Sequence, residues 1–207
     1  LENILQNSGL VKGREYHSQE FIRDNAGNTV KDEDGRKLQP DIIINLPENR
    51  QIVIDSKVSL VAYEKYVTSE SKELQDTALK EHILSIRTHI NQLSSKNYQD
   101  YVQSLDFVMM FIPIEPAYLV AMQNDLSLWE DAYRKRIVLI SPTNLIAALK
   151  LVTELWQREQ QNRNAIAIAD RGAKLYEKFV SFIDSLDEVG KSIEKSQKSY
   201  ESAKKQL

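Results

Sequence analysis

Residues 39–60 read QPDIIINLPENRQIVIDSKVSL. Two apolar runs, Asp41 to Asn45 and Gln51 to Lys57, flank Pro47-Glu48-Asn49, which is a turn signal. Ile42, Ile43, Ile44, Ile52, Val53 and Ile54 leave neither run a polar face. Such runs predict paired strands covered on both sides. Away from the turn, charge stands only at the ends: Asp41 after Pro40, and Asp55 and Lys57 around Ser56. Side chains alternate along a strand, so Asp55 and Lys57 are expected on one face and Ser56 on the other. A turn near Glu48 folds Asp41 back beside Asp55. Two carboxylates and an ammonium then meet at one end of a sheet, at the edge of a dry core.

Neighbouring carboxylates repel, which raises one pKa unless a cation joins them. Mg²⁺ or Mn²⁺ answers that need, because hard cations take carboxylate oxygens and keep several waters. With Asp41 and Asp55 as metal ligands, Lys57 can orient a water or balance charge on a phosphate in the transition state. This constellation suits metal-assisted hydrolysis of a phosphodiester. The competing reading is a hairpin end with a strand-start aspartate and a solvated Asp55/Lys57 pair. Asp-x-Lys alone favours that reading; the combination leaves both standing.

Outward from the hairpin, LENILQNSGL (1–10) reads as a helix ended by Gly9, with Leu1, Ile4 and Leu5 on one face. Residues 15–24 read as a strand and 25–37 as a loop or hairpin tip. A helix starts after 59, with Ser59 as its candidate cap. Residues 71–95 form an amphipathic helix on the spacing of Leu79, Ile83, Ile86 and Ile90. Phe107 to Ile112 suits a buried central strand. A polar helix around Asn124 to Arg134 and a strand at Ile137 to Ile140 follow. A long helix then begins with Ser141 as N-cap and Pro142 at its first position. Within it Leu175, Phe179, Phe182, Leu186, Val189, Ile193 and Tyr200 keep heptad spacing, with Ser196 the weak member. The fold class expected is α/β with this helical extension.

The 207 residues carry 42% apolar and 28% charged side chains, as in ordinary globular domains. A net charge of -3 is a poor footprint for coating nucleic acid, though not for an enzyme with a local groove and a metal. Without cysteine there is no disulfide, thiolate zinc site or thiol nucleophile, which fits a cytoplasmic location. No apolar run approaches the ~18 residues of a membrane span, so no membrane contact is expected from this segment. The chain opens on Leu without a signal-like stretch, so an upstream segment is expected. A P-loop, HExxH and G-x-S-x-G are absent, which argues against those three chemistries.

The Pro40-Asp41 … Asp55-Ser56-Lys57 pattern resembles the PD-(D/E)xK nuclease superfamily. LENILQNSGL, QPDIIINLP, VIDSKVSLVAYEKY, EHILSIRTHINQL, DFVMMFIPIEPAY and LISPTNLIAALK, in that order, are similar to the RmuC family of DNA recombination proteins. The resemblance implies a restriction-endonuclease-like mixed sheet flanked by helices over 1–160 and a long, coiled-coil-like helix over 161–207. It implies DNA as partner, Mg²⁺ or Mn²⁺ as cofactor, and a bacterial role in limiting inversion at short inverted repeats. Asp41 and Asp55 would be the metal ligands and Lys57 the catalytic lysine. Glu2 is the candidate for the further glutamate of the superfamily's first helix. A membrane anchor and coiled coil would precede this domain. The alternative function is a non-catalytic DNA-structure-binding or coiled-coil scaffold, self-associating through the C-terminal helix.

Other residues carry two readings each. Arg87, His82 and His89 share a helix; in the functional reading they approach the scissile phosphate or the DNA backbone, with Arg87 an accessory candidate, and in the other the histidines are hydrogen-bonded interface residues, which is slightly favoured for them. Glu115 is either an accessory ligand or the cap of a helix beginning at Pro116, with the cap favoured. Arg134, Lys135 and Arg136 read as a solvated basic run before phosphate contacts. Tyr63, Tyr66 and Trp156 read as core or groove-wall aromatics.

Overall fold

In the computed structural model the described residues are 1–22, 29–31, 35–96, 98 and 104–205, the side chains of 104–106 excepted. Along the chain run α1 (Glu2–Asn7), β1 (Tyr16–Ser18), β2 (Ile42–Asn45), β3 (Gln51–Asp55), α2 (Val61–Thr68) and α3 (Lys72–Ser94). Then come β4 (Ser104–Phe111), α4 (Glu115–Asn124), α5 (Leu128–Arg134), β5 (Ile137–Ile140) and α6 (Pro142–Lys204). Of the expected loop at 25–37, positions 25–28 and 32–34 lie outside the described residues.

The two isoleucine runs pair as expected, with Ile42 opposite Ile54 and Ile44 opposite Ile52. A short 3-10 turn, Pro47–Asn49, joins them, and Glu48 and Asn49 take positive φ there (63° and 60°). Five strands form one sheet in the order β1-β2-β3-β4-β5. β1, β2 and β3 are antiparallel neighbours, whereas β3, β4 and β5 run parallel. Parallel neighbours need crossovers, and the helices between them supply these.

Both sheet faces are covered, which explains the missing polar positions. Ile43, Val53, Val108 and Met110 pack with Ile86, Ile90 and Leu93 of α3 and the small residues Ala117, Ala121 and Ala132 of α4 and α5. Ile42, Ile44, Ile52, Ile54, Met109 and Phe111 pack on the other side with Leu5 of α1 and Leu145, Leu149 and Val152 of α6. Each fully buried aliphatic side chain contributes about 2 kcal/mol to this packing. Because both layers are apolar, hydrophobicity alone does not fix the register of β3. A one-residue slip would, however, turn Asp55 into the α1/α6 layer.

Local signals explain the ends. Gly9 follows α1 at φ 87°, a conformation glycine adopts without strain. Ser141 Oγ accepts from Asn144 N–H at 3.4 Å, and Pro142 opens α6. Three expectations need correction. The region read as one helix around 124–134 holds α5 only, with α4 already begun at Glu115 and a break after Asn124 where Asp125 leaves helical geometry. Ser59 does not cap α2, whose N-cap is Leu60 with no side-chain hydrogen bond. Of the strand read over 15–24, the described residues keep Tyr16–Ser18, because Gln19 turns to φ 54°, and positions 23–24 lie outside the described residues.

The chain divides into two units, Leu1–Gln157 and Arg158–Leu207. The first contains the sheet and the opening turns of α6, tied down by Trp156 Nε1–H on Asn45 O at 2.9 Å. The second is helical through Lys204. Leu175, Phe179, Phe182, Leu186, Val189, Ile193 and Tyr200 stand exposed along it.

Candidate functional site

Asp55 is the last residue of β3 and has no exposed surface. It follows Val53 on the sheet face that α3 covers. An ionised carboxylate there is costly unless paired. His89 Nε2–H of α3 donates to Asp55 Oδ1 at 3.2 Å, and Lys96 Nζ donates to Oδ2 at 2.9 Å. The backbone N–H of Lys57 reaches Oδ1 at 3.4 Å. Burial alone would raise the Asp55 pKa, but the His89 and Lys96 hydrogen bonds and their positive charge outweigh it and hold it well below the usual carboxylate range.

Asp41 stands just before β2, across from the end of β3. Its Oδ2 accepts from Ser56 N–H at 2.8 Å and from the Ser56 hydroxyl at 2.9 Å. Lys57 Nζ lies 3.7 Å from Asp41 Oδ1, with most of its side chain in solvent. Ser56, expected on the opposite face, turns to Asp41 instead. β3 has ended at Asp55, so strand alternation no longer governs it. Asp41, Asp55 and Lys57 are thus gathered at one strand end, the carboxyl end of a strand where the antiparallel and parallel halves of the sheet meet.

Two aspartates with hard oxygen donors form the kind of set that Mg²⁺ or Mn²⁺ takes with water and phosphate completing the shell. Lys96 Nζ already marks a cation position on Asp55. Among the described residues no group of three or more His, Cys, Asp or Glu gathers around a metal position. What Asp41 and Asp55 offer a hard cation is thus at most two carboxylates, with no closed protein cage among the described residues. A groove of about 440 Å³ opens beside Lys57 and His89, walled by Ser59, Ser85, Thr88 and Gln92.

The family model described as "RmuC family" matches residues 1–207. The chain belongs to the RmuC family. It is 52% identical over 211 residues to "DNA recombination protein RmuC homolog" of Neisseria meningitidis serogroup A, covering 100% of this chain and 34% of that protein. It is 43% identical over 209 residues to "DNA recombination protein RmuC" of Escherichia coli K12, covering 100% of this chain and 42% of the relative. The Pseudomonas aeruginosa homologue is also 43% identical, with 44% of its length covered. The chain thus spans between a third and a half of these RmuC proteins. No solved structure matches it. Among the described residues no helix is long and apolar enough to cross a membrane.

The accessory candidates stand apart from Asp41 and Asp55 in their contacts. Glu2 pairs with Lys12 at 2.7 Å on α1, which packs on the other face of the sheet. Arg87 bonds Asp125 Oδ2 through Nε (2.8 Å) and Nη2 (2.6 Å), and also reaches Asp131 and Ser127. Those acceptors, Asp131 before Asp125, hold its guanidinium protonated. Glu115 Oε2 accepts from Thr143 N–H at 2.9 Å, so it caps α6 rather than its own helix. That backbone bond, and then Ser141, lower its pKa.

The sequence reading weighs His89 toward a phosphate, not toward Asp55, and does not single out Lys96. For His89 a signal existed: His82, Ile86, His89 and Leu93 follow one buried stripe of α3, and a buried imidazole requires a partner. Its partner is a carboxylate. His82 differs, since its Nε2–H donates to Ala117 O at 3.0 Å. Lys96 lies beyond the helix end, in a polar stretch without periodicity, and gave no signal.

Proposed function

We propose that Asp41, Asp55 and Lys57 form a PD-(D/E)xK-like site that hydrolyses DNA phosphodiesters with Mg²⁺ or Mn²⁺, serving DNA recombination and the limiting of inversion at short inverted repeats. The carrying observation is the juxtaposition of Asp41 and Lys57, 3.7 Å apart, at the strand end that bears Asp55. The names of the RmuC relatives support DNA as the partner.

In this reading Asp41 and Asp55 hold the cation, which supplies Lewis acidity toward a phosphate oxygen. Lys57 is the mobile member: its exposed stem lets Nζ swing from Asp41 to a phosphate and stabilise the charge that develops there. Ser56 keeps Asp41 oriented through two hydrogen bonds to one oxygen, leaving the other toward Lys57. A cytoplasmic location suits this substrate. The exposed heptad stripe of the second unit supports self-association as an accompanying property.

The test is incubation with linear, nicked, single-stranded and hairpin DNA in Mg²⁺, Mn²⁺ or EDTA. Metal-dependent cleavage that disappears in Asp41→Asn and Lys57→Ala supports the reading. Cleavage that survives both variants, or none with any DNA, overturns it and favours a DNA-binding scaffold.

A further inference from the structure

We propose that Lys96 is the resident counter-ion of Asp55 and competes with a divalent cation for the same carboxylate oxygen, so that metal loading requires Lys96 to leave. The inference rests on the two-carboxylate metal site just proposed. Asp55 has no contact with solvent, so its charge is balanced by the groups that touch it. Among the described residues these are His89 Nε2 and the Lys57 backbone N–H on Oδ1, and Lys96 Nζ on Oδ2.

The three partners differ in freedom. His89 is buried within α3, and the Lys57 N–H belongs to the main chain. Lys96 follows the helix C-cap, Ser95, and 28% of its side chain is exposed. Its four-carbon stem has several rotatable bonds. Nζ also lies 5.5 Å from the centroid of the Tyr98 ring, an attractive face for an ammonium. Lys96 is therefore the partner able to move without unfolding an element. An ammonium and a divalent ion on one oxygen repel strongly at such separations. With Lys96 in place Asp55 is neutralised from within; with Lys96 displaced, Oδ2 is free to take another cation, and a second ammonium is released at the strand end that Lys57 follows.

The test is calorimetric titration of the chain with Mn²⁺ alone, without DNA. Wild type is compared with Lys96→Met, which keeps the stem and drops the charge, and with Lys96→Arg, whose planar fork grips a carboxylate more firmly. Each is repeated in an Asp55→Asn background. The expected order of Mn²⁺ affinity is Met above wild type by about tenfold or more, and Arg below wild type. Asp55→Asn should abolish the differences. Equal affinity across the three, tightening that persists with Asp55→Asn, or no binding in any, overturns the proposal. Should Lys96→Met fail to fold, the Lys96→Arg arm decides by itself. The expected affinity order without DNA cleavage in any variant would overturn the hydrolytic reading while leaving the role of Lys96 standing.

Discussion

Lys96 Nζ lies 2.9 Å from Oδ2 of Asp55, a carboxylate with no exposed surface. One feature of the site follows directly: the acid at the end of β3 is a structural ion as well as a proposed ligand. Removing one member of a buried pair leaves the other uncompensated, at a cost of about 3 kcal/mol. Asp55→Ala should lose about that much in urea unfolding, and Asp55→Asn less, because the amide still accepts one hydrogen bond. An unchanged midpoint for Asp55→Ala would show that the pair does not hold in solution. Loss of activity in this variant therefore needs a parallel measurement of folding.

The same pair sets an acid limit. The Asp55 pKa is depressed in the fold, so its contribution is present above the unfolded aspartate value of about 3.9. It is lost as pH falls through the lower folded value. His82 acts at milder pH. Burial lowers its pKa, only partly opposed by the bond to Ala117, and Nδ1 has no hydrogen-bond partner among the described residues. The unfolded chain then binds the proton better, so stability is full above about pH 6.5 and falls as pH drops below it. Replacing His82 by Phe should flatten the urea midpoint between about pH 7 and pH 5. Equal slopes in the two proteins would remove His82 as the cause.

Arg87 ties α3 to Asp125 at the end of α4 and Asp131 of α5. It is about one-third exposed, so solvent screens part of the attraction. Arg87→Ala should cost roughly 1 kcal/mol, and Arg87→Lys a large share of that, because an ammonium cannot reproduce the forked bonds. Since its donors are committed to these acceptors, DNA affinity measured by fluorescence anisotropy should stay unchanged. A marked drop in affinity with normal stability would return Arg87 to the site.

The hairpin, the two-sided cover of its strands and the start of α6 were legible because each rests on local chemistry: the isoleucine runs, Pro47-Glu48-Asn49, and Ser141-Pro142. Asp41, Asp55 and Lys57 were legible as strand ends. The surroundings of Asp55 were not, because His89 and Lys96 come from 34 and 41 positions away and only the crossover through α3 brings them in. Glu115 shows the same limit. Its position before Pro116 signals a helix start, but its oxygen meets Thr143 of another helix, 28 positions on.

The second unit offers a prediction of assembly. Leu175, Phe179, Phe182, Leu186, Val189 and Ile193 alternate four- and three-residue steps, and each is more than half exposed. A stripe with that period matches the seam of paired helices, where each knob enters a hole on the facing helix. Positions flanking it include the uncharged Ser185, Gly190 and Ser192, together with Lys178. Phe179→Asp with Leu186→Asp places two carboxylates in the seam of each helix. Sedimentation velocity should show a concentration-dependent dimer for the wild type and a monomer for the double variant at equal concentration. Because both residues are exposed in the second unit, the urea midpoint of the sheet-bearing unit should not change. A wild type that remains monomeric at high micromolar concentration would rule out self-pairing and leave the stripe to a different helix.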